Sequence, residues 1–175
     1  MTRTWAIRLL AVCAAIGLTI SVASADSGAN HFSTRLSGFN EVAPILTNGS
    51  ATVQVTIQGD SLTYTEVFRD GFSSPVTQSH IHFAERGVNG GIFLFLCTNL
   101  GNGPAGVPAC PTAAGTVTRT VTAADFSGIT AQNVPAASFD AAVRIIRSGD
   151  AYANVHTSSF PGGEIRGQLH FGDDD

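Results

Sequence analysis

Lysine is missing from this chain of 175 residues, and all nine of its basic residues are arginine. Schiff-base chemistry and the lysine of a phosphate-binding loop are therefore excluded. Charge of either sign is scarce, at 13% of residues, where soluble domains carry about 25%. The formal net charge is −4. No basic excess exists to neutralise phosphates, which excludes nucleic-acid binding by bulk charge. The single Trp is Trp5 and the single Met is Met1. No G-x-S-x-G, no H-E-x-x-H and no Ser/His/Asp order points to a hydrolase. Glu41, Glu66, Glu85 and Glu164 form no spaced pair that suggests glycosidase chemistry. The 43% hydrophobic content excludes intrinsic disorder by composition. The 19 glycines and the Thr/Val/Phe-rich segments point to β structure.

The first 25 residues have the order of an export signal. Arg3 and Arg8 flank the start of an apolar stretch, Leu9 to Val22, that holds no acid. Ala23-Ser24-Ala25 follows as an A-x-A cleavage site. This order predicts a signal peptide over 1–25 and a single working domain over 26–175. At 14 residues the apolar stretch is short of the ~20 needed to span a bilayer, so no stable membrane span is expected after cleavage. Cys13 does not make a lipidation site, because the bulky Val12 precedes it. Cleavage would leave Cys97 and Cys110. Two cysteines in an exported chain predict one disulfide and a secreted or periplasmic location. A metal site built on that pair lacks a neighbouring Cys or His.

Alternating runs with turn signals between them organise the rest. In 50–58 Ala51, Val53, Val55 and Ile57 share one face, and Leu62, Tyr64 and Phe68 continue it after Gly59-Asp60, which predicts a hairpin over 50–69. Further strands are predicted over 76–84, Ile92 to Cys97, 115–122, 151–157 and 164–171, with His31 in an N-terminal strand region. Residues 98–114 are predicted to be a loop pinned by the disulfide. Phe139 to Arg147 has helical spacing, with Ser138 as N-cap and Gly149 as the stop. The expected fold is all-β: a two-sheet antiparallel Greek-key sandwich of about eight strands plus one short helix.

Two segments carry chemistry. In His80-Ile81-His82 both imidazoles project to the same side of a strand, about 6–7 Å apart. In 152–168, Tyr152, Asn154 and His156 share one face, and Glu164, Arg166, Gln168 and His170 are expected to share a face of the following strand. Two readings stand side by side. In one, His80, His82 and His156 hold a single Zn or Cu ion, with Glu164 as ligand or support. In the other, these residues form a buried structural network in which Glu164 pairs with Arg166 or another arginine.

These segments also resemble the chordin-type (CHRD) domain family. The resemblance rests on His80-Ile81-His82 followed by a Gly/Asn turn, and on Asn154-Val155-His156-Thr157 running through Pro161-Gly162-Gly163-Glu164-Ile165-Arg166-Gly167-Gln168-Leu169. Leu36-Ser37-Gly38-Phe39-Asn40-Glu41-Val42 is similar to the family's opening. The likeness runs over about residues 31–171. It implies an immunoglobulin-like or superoxide-dismutase-like β-sandwich and an exported, non-catalytic binding or structural module with an unidentified extracellular or envelope ligand. The family's role in microbes is not established, and growth-factor binding by chordin does not carry over to a lone copy. A binuclear copper–zinc site of the dismutase kind needs six histidines and an aspartate; the chain has five histidines, so only a mononuclear redox site is conceivable.

Overall fold

The computed structural model describes Met1 and residues 30–112 and 114–172. The predicted signal segment over 1–25, Met1 apart, and the Asp173–Asp175 tail lie outside the described residues. Among the described residues nine strands form: β1 (His31–Ser37), β2 (Ser50–Gln58), β3 (Ser61–Phe68), β4 (Val76–Phe83), β5 (Gly91–Thr98), β6 (Gly115–Val121), β7 (Ala151–Thr157), β8 (Ile165–Gln168) and β9 (His170–Phe171). The α-helix α1 (Phe139–Ser148) precedes β7. The Ser138 hydroxyl caps it by accepting from the Ala141 N–H, and Gly149 ends it with φ +82°.

Every strand pairing is antiparallel. The strands follow one hydrogen-bonded path, β5-β4-β7-β8-β1-β2-β3-β6, with β9 added on β1. The ends of this path, β5 and β6, approach each other, so the sheet is nearly closed and barrel-like. A division into two separate sheets was expected; the hydrogen bonds run on between the halves. The cause lies in the last segment. Predicted as one strand over 164–171, it changes partner at Leu169, whose N–H goes to the Ala151 carbonyl. Before that residue β8 pairs with β7; after it β9 pairs with β1 through Phe32↔Phe171 and Ser33↔His170. Ser37↔Arg166 completes the junction.

The core lies between the two halves of this path. Tyr64, Phe68, Phe93, Leu94, Leu96, Ile81, Ile146 and Leu169 are among its largest fully buried members. The Tyr64 hydroxyl crosses from β3 to donate to the Leu96 carbonyl of β5 at 2.6 Å. The Ser79 hydroxyl of β4 donates to the Glu66 carboxylate of β3 at 2.7 Å. Cys97 and Cys110 are bridged, and Asn99 reinforces the bridged loop through the Cys110 N–H and carbonyl.

Candidate functional site

β7 is buried along its whole length. Ala151, Ala153, Val155 and Thr157 face the core. Tyr152, Asn154 and His156 point the other way and are also buried. The outer face of β4, β7 and β8 is thus covered, and the cover is loop. Residues 85–91 fold back over it from one end, the 158–163 turn from the other, and the β1–β2 connection reaches it from the side. Beneath them lies a second, polar layer.

β4 enters this layer through irregular pairing. Its register with β5 shifts between Ser79 and His80 and again between Ile81 and His82, so Leu96 and Phe93 of β5 have no opposite number. These bulges accommodate an almost continuous apolar run on β5 while β4 keeps strict alternation. Ile81 therefore faces the core, and His80 and His82 face the cover, with ring centroids 5.6 Å apart. His156 comes from β7, its ring centroid 4.9 Å from that of His80 and 6.1 Å from that of His82. One ring nitrogen from each of the three lies within 4.8 Å of the other two.

Their hydrogen bonds define the tautomers. His82 Nδ1 donates to the Gly90 carbonyl at 3.0 Å, and His156 Nδ1 donates to the Pro161 carbonyl at 3.0 Å. A carbonyl can only accept, so each proton sits on Nδ1 and each Nε2 carries a lone pair. His80 Nδ1 donates to His156 Nε2 at 3.1 Å. The Nε2 atoms of His80 and His82 are buried without a hydrogen-bond partner. Burial, with repulsion from its two histidine neighbours, lowers the pKa of His80 to about 2. Burial lowers that of His82 to about 4 against the pull of the Gly90 carbonyl. His156 is lowered too, by burial. Burial thus favours the neutral form of all three imidazoles.

Arg166 occupies the same layer. Its guanidinium carbon lies 3.4 Å from the centroid of the Tyr152 ring, and that ring stacks on His82 at 4.7 Å with an interplanar angle of 7°. Arg166 also donates to the Asn89 side chain at 2.9 Å and to the Val88 carbonyl. The expected partner is Glu164 or another nearby acid; Glu164 is not in contact with it, its direct contacts are an aromatic face and the 85–91 loop, and Glu41 is the acid that feels its charge. The carboxylate nearest in kind is Glu41, which accepts from Asn154 Nδ2 at 2.5 Å. Burial raises the Glu41 pKa, opposed by Asn154 and the charge of Arg166. Gly163 makes that contact possible. At φ +126°, a Cβ there would lie 2.5 Å from Asn154 Nδ2 and 2.8 Å from Glu41 Oε1.

Glu164 belongs to neither histidines nor arginine. It precedes β8 and turns toward Thr157, on the side of the sheet away from Arg166. Its carboxylate accepts from the Thr157 hydroxyl (2.6 Å), the Thr47 hydroxyl (2.6 Å), and the Ser73 N–H and hydroxyl (2.9 and 2.7 Å). Burial raises its pKa, but these four bonds outweigh burial and hold it below the ordinary value. The expected shared face of Glu164, Arg166, Gln168 and His170 fails at both ends: Glu164 stands before the strand and His170 after the break at Leu169.

Residues 32–169 match the CHRD domain family. The chain belongs to that family. No curated protein and no solved structure matches it.

The three CHRD-like stretches, far apart in the chain, meet in the polar layer. The first supplies Glu41, the second His80 and His82, the third Asn154, His156, Gly163 and Arg166. Tyr152 and Asn89 complete the layer, and neither was expected as a partner. Tyr152 had a visible signal, because it shares strand parity with Asn154 and His156. Asn89 stands in the Gly/Asn turn of the second motif, but its pairing with Arg166 spans 77 residues and has no local signal. Glu66 was passed over as well. It sits in phase with Leu62, Tyr64 and Phe68 on the apolar face of β3, and it is fully buried there.

Proposed function

We propose that this CHRD domain works outside the cytoplasm as a non-catalytic binding module, and that loops 38–49, 85–91 and 158–163 form its recognition surface. One observation carries this reading: the polar layer spends its side chains on fastening those loops to one face of the sheet. Asn154 holds Glu41, Asn40 donates to the Arg166 carbonyl at 3.0 Å, Arg166 holds Val88 and Asn89, and His156 holds Pro161. The loops so fixed line a groove of about 350 Å³ that includes Glu41, Val42, Ile45, Asn89, Phe160 and Pro161. Around it Phe39, Val42, Leu46 and Val88 expose 68, 47, 88 and 45% of their surface. Pre-ordered loops with apolar tips lose little entropy on binding. The chemistry favours an apolar, weakly charged ligand in the envelope or the medium.

The Cys97–Cys110 bridge supports an oxidising compartment. Among the described residues no helix is long and apolar enough to cross a membrane. The bridged loop 98–114 takes no part in the groove.

The test is fractionation of cells that make the protein, followed by binding to purified envelope fragments. The expected protein starts at Asp26, lies outside the cytoplasm and is retained on the fragments. The double substitution Val42→Asp, Leu46→Asp abolishes retention while leaving the urea midpoint in place. Cytoplasmic protein with residues 1–25 intact, or retention indifferent to the substitutions, overturns the reading.

A further inference from the structure

We propose that His80, His82 and His156 form a closed three-nitrogen site for one monovalent copper ion. This goes beyond the binding-module reading and does not rest on it.

The first argument is unmet bonding capacity. His80 is fully buried, and His82 and His156 expose 7 and 5% of their surface. Two of the group's ring nitrogens are orphaned inside. An unsatisfied buried polar atom costs about 1–3 kcal/mol. Phe in place of either histidine would remove the orphan and fill the space. His82 Nε2 offers a free lone pair and His156 Nε2 one used only by His80; His80 faces His156 with Nδ1, which becomes a third donor when its proton moves to the orphaned Nε2.

The second argument is orientation. Metal-bound histidines usually present one nitrogen to the ion and donate the other N–H to a carbonyl or carboxylate, which fixes ring and tautomer. His82 and His156 already do so, through Gly90 and Pro161. Metal–imidazole bonds of about 2.0 Å set three ligand nitrogens about 3.5 Å apart in a plane. One ligand nitrogen from each residue of the present group already lies within 4.8 Å of the other two. The ion then takes the His156 lone pair now engaged by His80.

The third argument, charge and donor number, selects the ion. The group contains no carboxylate and no thiolate. The guanidinium of Arg166 lies on Tyr152, which lies on His82, so a fixed positive charge stands two ring layers away. The polar layer's carboxylate, Glu41, is engaged by Asn154. A divalent ion would meet this charge without an anion beside it. Zinc on three histidines adds a water as its fourth donor, and these three histidines are buried. Copper suits imidazole, and in its monovalent state it is satisfied by three neutral nitrogens at half the charge.

The experiment is an anaerobic titration of the exported protein with Cu(I), in ascorbate, against a chromophoric Cu(I) chelator. Uptake of one equivalent is expected, with a copper X-ray absorption spectrum showing three nitrogen neighbours and no sulfur. Zn²⁺ is expected to bind at least a hundredfold more weakly. His82→Phe and His156→Phe, each checked for an unchanged fold by circular dichroism, should lower Cu(I) affinity at least a hundredfold. The spectrum of the unsubstituted protein serves as the test should either variant not fold. No uptake, sulfur ligation, equal or tighter Zn²⁺ binding, or uptake indifferent to folded variants overturns the proposal.

Discussion

Asn154 on β7 donates to Glu41 in the β1–β2 connection at 2.5 Å, and the same amide donates to the Ile165 carbonyl at 2.9 Å. One side chain thus joins a loop, the central strand and the start of β8, across 113 residues of sequence. Both partners are buried, with 3 and 7% exposure.

Asn154→Ala should therefore cost more than a deleted contact. It strands the Glu41 carboxylate and leaves the Ile165 carbonyl with less. An unsatisfied buried group costs about 1–3 kcal/mol, and more when charged. Asn154→Ala is expected to lose about 3 kcal/mol in urea unfolding, within the range for breaking a buried network. Glu41→Gln, which removes the charge and keeps an acceptor, should lose less. In a double-mutant cycle the two changes should be strongly non-additive. Additive losses would mean that the two side chains act independently.

Arg166 makes a second test, because lysine keeps its charge and loses its shape. The planar guanidinium lies flat on Tyr152 and reaches Asn89 and the Val88 carbonyl at once. A lysine ammonium cannot stack and fork together. Arg166→Lys should release the 85–91 loop while leaving the core intact. The expected readout is faster amide exchange at Val88 to Gly90, with unchanged protection in β2 and β3. A uniform loss of protection across all strands would place the role of Arg166 in global stability instead.

The contrast among these residues shows what alternation can and cannot reveal. Period-two spacing correctly puts His80 with His82, and Tyr152 with Asn154 and His156, because strand parity is local. Which loop covers that face is set by contacts such as Asn154–Glu41 and Arg166–Asn89, and no local pattern encodes them. Glu164 was misplaced for a related reason. Parity holds only inside a strand, and β8 begins one residue later, at Ile165. The single continuous sheet was hidden in the same way: the change of partner at Leu169 depends on β1 lying alongside, some 130 residues earlier in the chain. Family likeness did better, because its three motifs contain the residues that meet, though not their pairing.

Glu66 yields the sharpest dependence on pH. It lies in the core with 0% exposure; Ser79 donates to Oε1, and Oε2 has no partner. Burial pushes its pKa up to about 8 from an ordinary 4.5. The folded protein therefore holds a proton that the unfolded chain releases above pH 4.5. Stability falls as pH rises wherever the folded state binds more protons. The contribution of Glu66 is thus intact below pH 4.5 and is lost progressively up to about pH 8. Glu66→Gln keeps the acceptor for Ser79 and never ionises. In urea unfolding the variant should match the parent near pH 4, gain on it steadily through pH 6 and 7, and hold a constant lead above about pH 8. A difference between the two that stays flat from pH 4 to 9 would show that Glu66 is not the proton held in the core.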